Sequence, residues 1–369
     1  MPRTRPGAVL HYVGYDVDRG GILAVIRALA TEDLFPCVLG VNPAFQAGRS
    51  RDLEIMRLPN VSGNTISLRN MLRAHRIARE AQAWLRGDAT RVFHGHSRAG
   101  LLVALWLRRF GERRAVATVH CYGRQRWFYR WAAHRLRGGI FWLSPEMKRY
   151  YGLRRESEAA DRWAGCLPGC VPALASTVRR PQPRDTIHLA GVGAITRWKR
   201  WDLVVDALAL LPEELRMKLL FRHIGGTDGS ADSRIHADEL RRKTAEHELG
   251  AVIEWRGEQP SADPLLAESD YLIVASQCEP LSIAMLEALF AGVPVVAAAS
   301  GGALDLILPP VNGRLFGGDG PEGLADELAE IAGNDRNPPA QIDRDGLQRF
   351  TAEQCAARHA EIYRKLLMT

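Results

Sequence analysis

The chain is 369 residues long, 46% of them hydrophobic, and its 49 lysines and arginines outnumber 42 acidic residues for a net charge of +7. That length predicts two domains of about 150 to 200 residues, each with a full core. No apolar run approaches the 18 or so residues that a membrane span requires.

The chain opens with MPRTRPGAVLHYVG, which has basic residues but only a brief apolar segment, and it reads as a first strand, not a signal peptide. Further strands read PCVLGV, RVFHGH, AVATVH and GIFWLS, and helical patterns such as GGILAVIRALA and RAGLLVALWLRRF lie between them. DVD at 16–18 has the spelling of an Asp-x-Asp metal motif, but it sits before a Gly-Gly turn without the context of one, so no metal is expected. The stretch RQRWFYRWAAHRLR at 124–137 interleaves Trp127, Phe128, Tyr129 and Trp131 with Arg126, Arg130, Arg135 and Arg137. Such a mixture suits the headgroup region of an anionic membrane; a nucleic-acid surface and a helix packed through its aromatic side are the alternatives. No nucleic-acid-binding module is recognisable, and none is expected. Cys166 and Cys170 have no second pair at zinc spacing, so reduced thiols in a cytoplasmic protein are the expectation.

The polar, Pro-containing STVRRPQPRD, residues 176–185, reads as a linker between a first domain at 1–175 and a second at 186–349. The second half repeats the scheme: strands TIHLAGVGA, KLLFRHIG, AVIEWRGE, DYLIVAS and VPVVAAA, with helices WDLVVDALALL and RIHADELRRKTAEHEL. Such alternation predicts an α/β protein of two doubly wound, Rossmann-like parallel-sheet domains facing across a cleft at the carboxyl ends of their strands. The charge divides with the halves. Residues 1–170 hold 28 basic and 13 acidic residues, net +15, and the remainder 21 and 29, net −8. An anionic partner for the first half follows: a membrane surface, a phospholipid-linked acceptor or an acidic polymer. Base composition accounts for the abundance of arginine, but not for its asymmetry.

The most informative run is EPLSIAMLE, residues 279–287, where two carboxylates lie eight positions apart around a mostly apolar stretch. With Pro280 in the first helical turn, Glu279 lies in the preceding loop and Glu287 projects from the second or third turn, with free amides near Leu281, Ser282 and Ile283 between them. A helix start attracts phosphate, and flanking carboxylates accept hydrogen bonds from hydroxyls, so the run predicts a receptor for a sugar nucleotide. Upstream, GVGAITRWKRWDLVVDAL at 191–208 carries Arg197 and Lys199 on a loop after a strand, suited to the same phosphates or to plain solvent exposure. Downstream, the Gly301-Gly302 turn brings backbone amides within reach of a sugar or phosphate, although glycines there need no function beyond turning the chain.

Taken together, SQCEPLSIAMLEALFAGVPVVAAASGGALDLILPPVNGRLF resembles the signature of retaining glycosyltransferase family 4, the glycosyl transferases group 1, with its Glu-x7-Glu element, AGVPVV run, Gly-Gly turn and NGRLF strand. The resemblance extends to GAITRWKRWDLVVDAL, VIEWRGE and the closing FTAEQCAARHAEIYRKLL; it covers 186–369 well and the first half more loosely. It implies the GT-B fold, a nucleotide-sugar donor held mostly by the C-terminal domain, and a last helix, 350–369, that crosses back onto the first domain.

The resemblance also implies roles. Glu279 would bind hydroxyls of the transferred sugar and Glu287 the ribose. Lys199 would neutralise the leaving diphosphate, the backbone at Leu281 and Ser282 would contact the same phosphates, and the chain near Arg256 would border the base. Gly20 and Gly21, in DRGGI, match the family's glycine-rich loop, and His120, in ATVHCYG, matches a histidine near the reacting sugar. Departures are also present. Ala194 stands where the family usually has arginine, which makes Arg197 the expected substitute, and the family's PNGVD element appears only as PGCVP at 168–172. The expected activity is transfer of a hexose from a nucleoside diphosphate sugar, with retention and without metal or other cofactor, to a glycan, lipid-linked or other anionic acceptor in cell-surface polysaccharide synthesis. The enzyme would be cytoplasmic, peripheral at the membrane. The competing reading is a degenerate GT-B scaffold that binds a membrane or polyanion without catalysis.

Overall fold

The computed structural model describes residues 7–18, 20–59, 67–153, 162–171, 185–333, 342 and 345–368. Of the expected linker, only Asp185 falls within them. The chain divides into two compact units, residues 1–173 with 349–369, and residues 174–348.

The sheet of the first unit is built from β1 (Val9–Tyr12), β2 (Cys37–Val41), β3 (Glu54–Arg57), β4 (Val92–His96), β5 (Ala115–Val119) and β6 (Ile140–Trp142), all parallel, in the order β3-β2-β1-β4-β5-β6. Strands β1, β2, β4 and β5 are buried at every residue, as expected of a parallel sheet with helices on both faces. The edge strand β3, EIMR, escapes a sequence reading because Glu54 and Arg57 at its ends are exposed and its apolar core is two residues long.

The second unit repeats the plan with β7 (Ile187–Val192), β8 (Leu219–Ile224), β9 (Ile253–Trp255), β10 (Tyr271–Val274), β11 (Val295–Ala298) and β12 (Gly313–Phe316), parallel in the order β12-β11-β10-β7-β8-β9. In each sheet the order reverses at the middle, between β1 and β4 and between β7 and β10. The loops leaving those strands flank the crevice where open α/β sheets bind ligands.

The terminal helix Ala352–Leu367 belongs to the first unit. Its Tyr363 hydroxyl lies 2.6 Å from His94 Nδ1, and its ring meets Phe35 edge-on at 5.0 Å. The segment carrying Cys170 and Val171, from PGCVP, anchors its entry: the Val171 amide donates to the Phe350 carbonyl, and the Ala352 amide to Val171. Pro172 lies outside the described residues.

Candidate functional site

In the second unit the site grows from the loops after β7, β10 and β11. Past β10, Cys278 takes a left-handed backbone (φ 54°) that turns the chain into Glu279. Two glycines after β11 hold this turn. Gly301 has φ +57°, and a Cβ on it would lie 2.3 Å from the Glu279 carbonyl oxygen; one on Gly302 would lie 2.3 Å from that of Pro280. Only glycine permits this backbone approach. The Gly302 amide, expected to face a ligand, donates instead to the Glu279 carbonyl at 2.8 Å, so the Gly-Gly turn positions Glu279 through the backbone.

The Glu279 carboxylate is gripped at both oxygens. Lys199 Nζ donates to Oε1 at 2.8 Å and Ser276 Oγ to Oε2 at 2.5 Å. Lys199 ends a 3-10 turn, Arg197–Lys199, that follows β7, and its stem runs past Gly193 (φ +147°), where a Cβ would approach the Lys199 Cε to 3.5 Å. Its ammonium also lies 4.4 Å from the Trp198 ring centroid. With the two side chains only 14% and 12% exposed, the attraction is screened far less than in a surface pair. One N–H of Lys199 is spent on Glu279 and two remain to meet an anion.

The helix beyond this turn runs Ile283–Ala291, so Pro280 precedes it by three residues and does not occupy its first turn. Ser282 takes the N-cap, its hydroxyl accepting from the Met285 amide at 3.4 Å. A serine in extended conformation is a stronger helix start than the proline upstream, and the first helical amides fall at Ile283 and Ala284, not at Leu281 and Ser282. Glu287 lies in the second turn. Burial, and secondarily the charge of Asp263, push its carboxyl up to about 7. Asp263 opens the short helix Asp263–Ala267, whose Pro264 and Leu265, with Ile224, Arg256, Gln259 and Ser261, line a pocket of about 340 Å³. Arg256 is braced by Glu254 at 2.7 Å.

Arg197 is placed elsewhere. Its guanidinium binds Asp232 at 3.0 Å and Glu239 at 3.0 and 3.2 Å, both on the helix Ala231–Glu246. Two carboxylates about two turns apart on a neighbouring helix thus hold the side chain that was expected to stand in for the arginine missing at Ala194.

In the first unit Gly20 (φ +103°, ψ 162°) enters the helix Gly21–Thr31 in a conformation open to glycine. Asp18 of DVD is structural. It accepts from the amides of Gly48 and Ser50, the Ser50 hydroxyl and Arg27. Burial alone would raise its carboxyl, but those hydrogen bonds and the guanidinium hold it below the ordinary range. His120, just past β5, receives a contact unannounced by the sequence reading. Its Nε2 lies 2.9 Å from His96 Nδ1, and His96 Nε2 lies 3.0 Å from His11 Nδ1. His94 stacks on His96 at 4.2 Å between ring centroids and bonds Tyr363 and Thr118. The signal was in RVFHGH: histidines at period two on a strand otherwise buried and apolar. Nitrogens of His11, His94 and His96 lie within 4.8 Å of one another, close enough to consider a metal. However, His94 and His96 already spend both ring nitrogens on protein partners, and the set does not fit an ion.

The aromatic run divides. On the helix Arg126–Leu136, Phe128 and Tyr129 are buried, whereas Trp127 and Trp131 are 67% and 41% exposed. Arg130 is tied to the Tyr151 carbonyl. Among the described residues no helix is long and apolar enough to cross a membrane.

Residues 179–348 match the family profile described as Glycosyl transferases group 1. The D-inositol 3-phosphate glycosyltransferase of Kribbella flavida is 37% identical over 157 residues, 40% of this chain and 36% of its own length. The enzyme of that name from Streptomyces coelicolor is 29% identical over 197 residues, 51% and 42% of the two chains. The chain thus spans less than half the length of these curated relatives. Among solved structures, Anabaena HepE in complex with UDP and glucose superposes with a TM-score of 0.72 at 17% identity, over 96% of this chain and 98% of its own. Sucrose-phosphate synthase of Thermosynechococcus elongatus superposes with a TM-score of 0.73 at 18% identity, over 98% and 99%. At that identity the likeness establishes the fold, which is GT-B. The match to glycosyl transferases group 1 thus lies in residues 179–348, the part of the chain that carries Lys199, Glu279 and Glu287.

Proposed function

We propose that the protein is a retaining glycosyltransferase that moves a hexose from a nucleoside diphosphate sugar, UDP- or GDP-linked, to an anionic, glycan or lipid-linked acceptor in cell-surface glycan assembly. The observation that carries this reading is the largely buried Lys199–Glu279 pair, fixed by Ser276 and by the Gly301-Gly302 backbone beside the start of the Ile283–Ala291 helix. In this reading Glu279 accepts hydrogen bonds from sugar hydroxyls. The two remaining N–H groups of Lys199 and the first helical amides meet the diphosphate, whose charge grows as the glycosidic bond breaks. Glu287 takes the ribose and the pocket beside Arg256 the base. Gly20 and Gly21 lend their loop, and His120 stands near the reacting sugar. The acceptor attacks from the face the leaving group departs, and no metal is assigned a role. HepE, solved with UDP and glucose, favours a uridine donor, and relatives named for inositol 3-phosphate favour an anionic acceptor, in keeping with the net +15 of residues 1–170.

Thermal unfolding with UDP, GDP, ADP and CMP tests the donor site. A ligand at 100 times its dissociation constant stabilises a fold by about 2.7 kcal/mol. One nucleotide should raise the melting temperature of wild type and fail to raise that of Glu287→Ala. No response to any of the four would favour the non-catalytic, polyanion-binding scaffold. For the membrane, exposed Trp127 and Trp131 beside arginines support peripheral attachment. Flotation with anionic vesicles tests it, and a protein left at the bottom of the gradient would reject it.

A further inference from the structure

Two neighbouring strands, β1 and β4, and the position just past the next strand, β5, carry three imidazoles joined nitrogen to nitrogen: His11 Nδ1 to His96 Nε2 at 3.0 Å, and His96 Nδ1 to His120 Nε2 at 2.9 Å. His11 and His96 are buried, whereas His120 is half-buried, and its Nδ1 makes no hydrogen bond among the described residues. Burial disfavours charge on all three rings, so each is neutral and has one N–H. Every link then needs one protonated and one bare nitrogen, which leaves two arrangements of the chain. In one, each Nδ1–H donates toward His120, and His11 Nε2 is left bare. In the other, each Nε2–H donates back toward His11, whose own Nε2–H then points at nothing.

His11 Nε2 is buried without a partner. An orphaned buried N–H is rarer and costlier than a bare ring nitrogen, so the first arrangement wins. We infer that His11 and His96 are positioning residues that lock His120 as its Nδ1–H tautomer, so that it meets the substrate as a hydrogen-bond donor and not as a base. The stacking of His94 on His96, and its bonds to Tyr363 and Thr118, hold the middle ring in register. The tautomer follows from the chain alone; that its N–H meets a sugar oxygen rests on the proposed function.

Long-range proton–nitrogen correlation spectra of the full chain labelled with nitrogen-15 histidine, assigned through single His→Gln variants, read each tautomer directly. His120, His96 and His11 should all be protonated at Nδ1 and bare at Nε2. A bare Nδ1 on His120, or a doubly protonated His120, would overturn the inference from the wild-type spectrum alone. His96→Asn keeps an amide donor where Nδ1 was and should preserve the His120 tautomer. His96→Phe removes the donor and should release His120 toward Nε2–H, with kcat about tenfold lower and nucleotide stabilisation unchanged. An unchanged tautomer in His96→Phe would reject the chain as its cause. If the tautomers are as inferred and no nucleotide stabilises the protein, the chain stands and the proposed function falls.

Discussion

Lowering the pH from 7 to 5.5 should strip stability from the unit formed by residues 1–173 and 349–369 while leaving residues 174–348 almost untouched. Five histidines of the first unit, the buried His11, His94, His96 and His359 and the half-buried His120, are held below their ordinary range, chiefly by desolvation: His11 and His120 to about 3, His359 to about 4 and the other two well below 6.5. A histidine whose folded value is depressed contributes stability that is complete above its unfolded value, near 6.5, and is lost as pH falls toward the folded value, because only the unfolded chain takes up the proton. Each ring so poised costs about 1.2 kcal/mol between pH 7 and 5.5, and five cost about 6 kcal/mol, comparable to the whole stability of a typical domain. In the second unit His223 is depressed to about 3 by burial, but Glu287 is raised to about 7 and takes up a proton in the folded state over the same range. The two have opposite signs and nearly cancel. Hydrogen exchange read by mass spectrometry at pH 7 and 5.5, corrected for intrinsic rates, should show protection collapsing in peptides of the first unit alone. Equal loss in both units, or none, would refute the assignment of these rings as neutral and desolvated.

Other expectations follow from single contacts. Gly302→Ala sets a Cβ against the Pro280 carbonyl and should destabilise the protein by about 1–3 kcal/mol in urea titration, with a weakened nucleotide response. Arg197→Ala, which breaks only exposed ion pairs, should leave the urea midpoint essentially unchanged and nucleotide binding intact; a lost thermal shift would restore Arg197 to the phosphates. Because a ribose prefers ionised Glu287, nucleotide affinity measured by calorimetry should rise from pH 6 to pH 8 and level off. In Glu287→Gln that rise should vanish.

Much of the fold was legible because parallel strands buried on both faces spell continuous apolar runs, as CVLGV and YLIV do. Strand β3 was not, since EIMR at an edge buries too little to leave a pattern. Within the site, Glu279 and Lys199 were legible from their motifs, and the structure brings them to 2.8 Å. The helix start was misplaced by three residues because Pro280 and Ser282 are both good starters, and only tertiary packing against Gly301 and Gly302 decides between them. The fate of Arg197 depended on Asp232 and Glu239, more than thirty positions away, and no local reading weighs such partners. The histidine chain joins residues from two strands and the position just past a third, so its members were visible one at a time and their hydrogen bonds were not.

The central claim, that Lys199 and Glu279 serve departure of a nucleoside diphosphate, is tested most directly by phosphorus NMR of UDP-hexose and GDP-hexose incubated with the protein and a lipid extract as acceptor. Wild type should release the nucleoside diphosphate from one donor, and Lys199→Ala should slow that release by about 100-fold or more while still being stabilised by the free nucleotide. Release at an undiminished rate by Lys199→Ala, or no release by wild type from either donor, would contradict it.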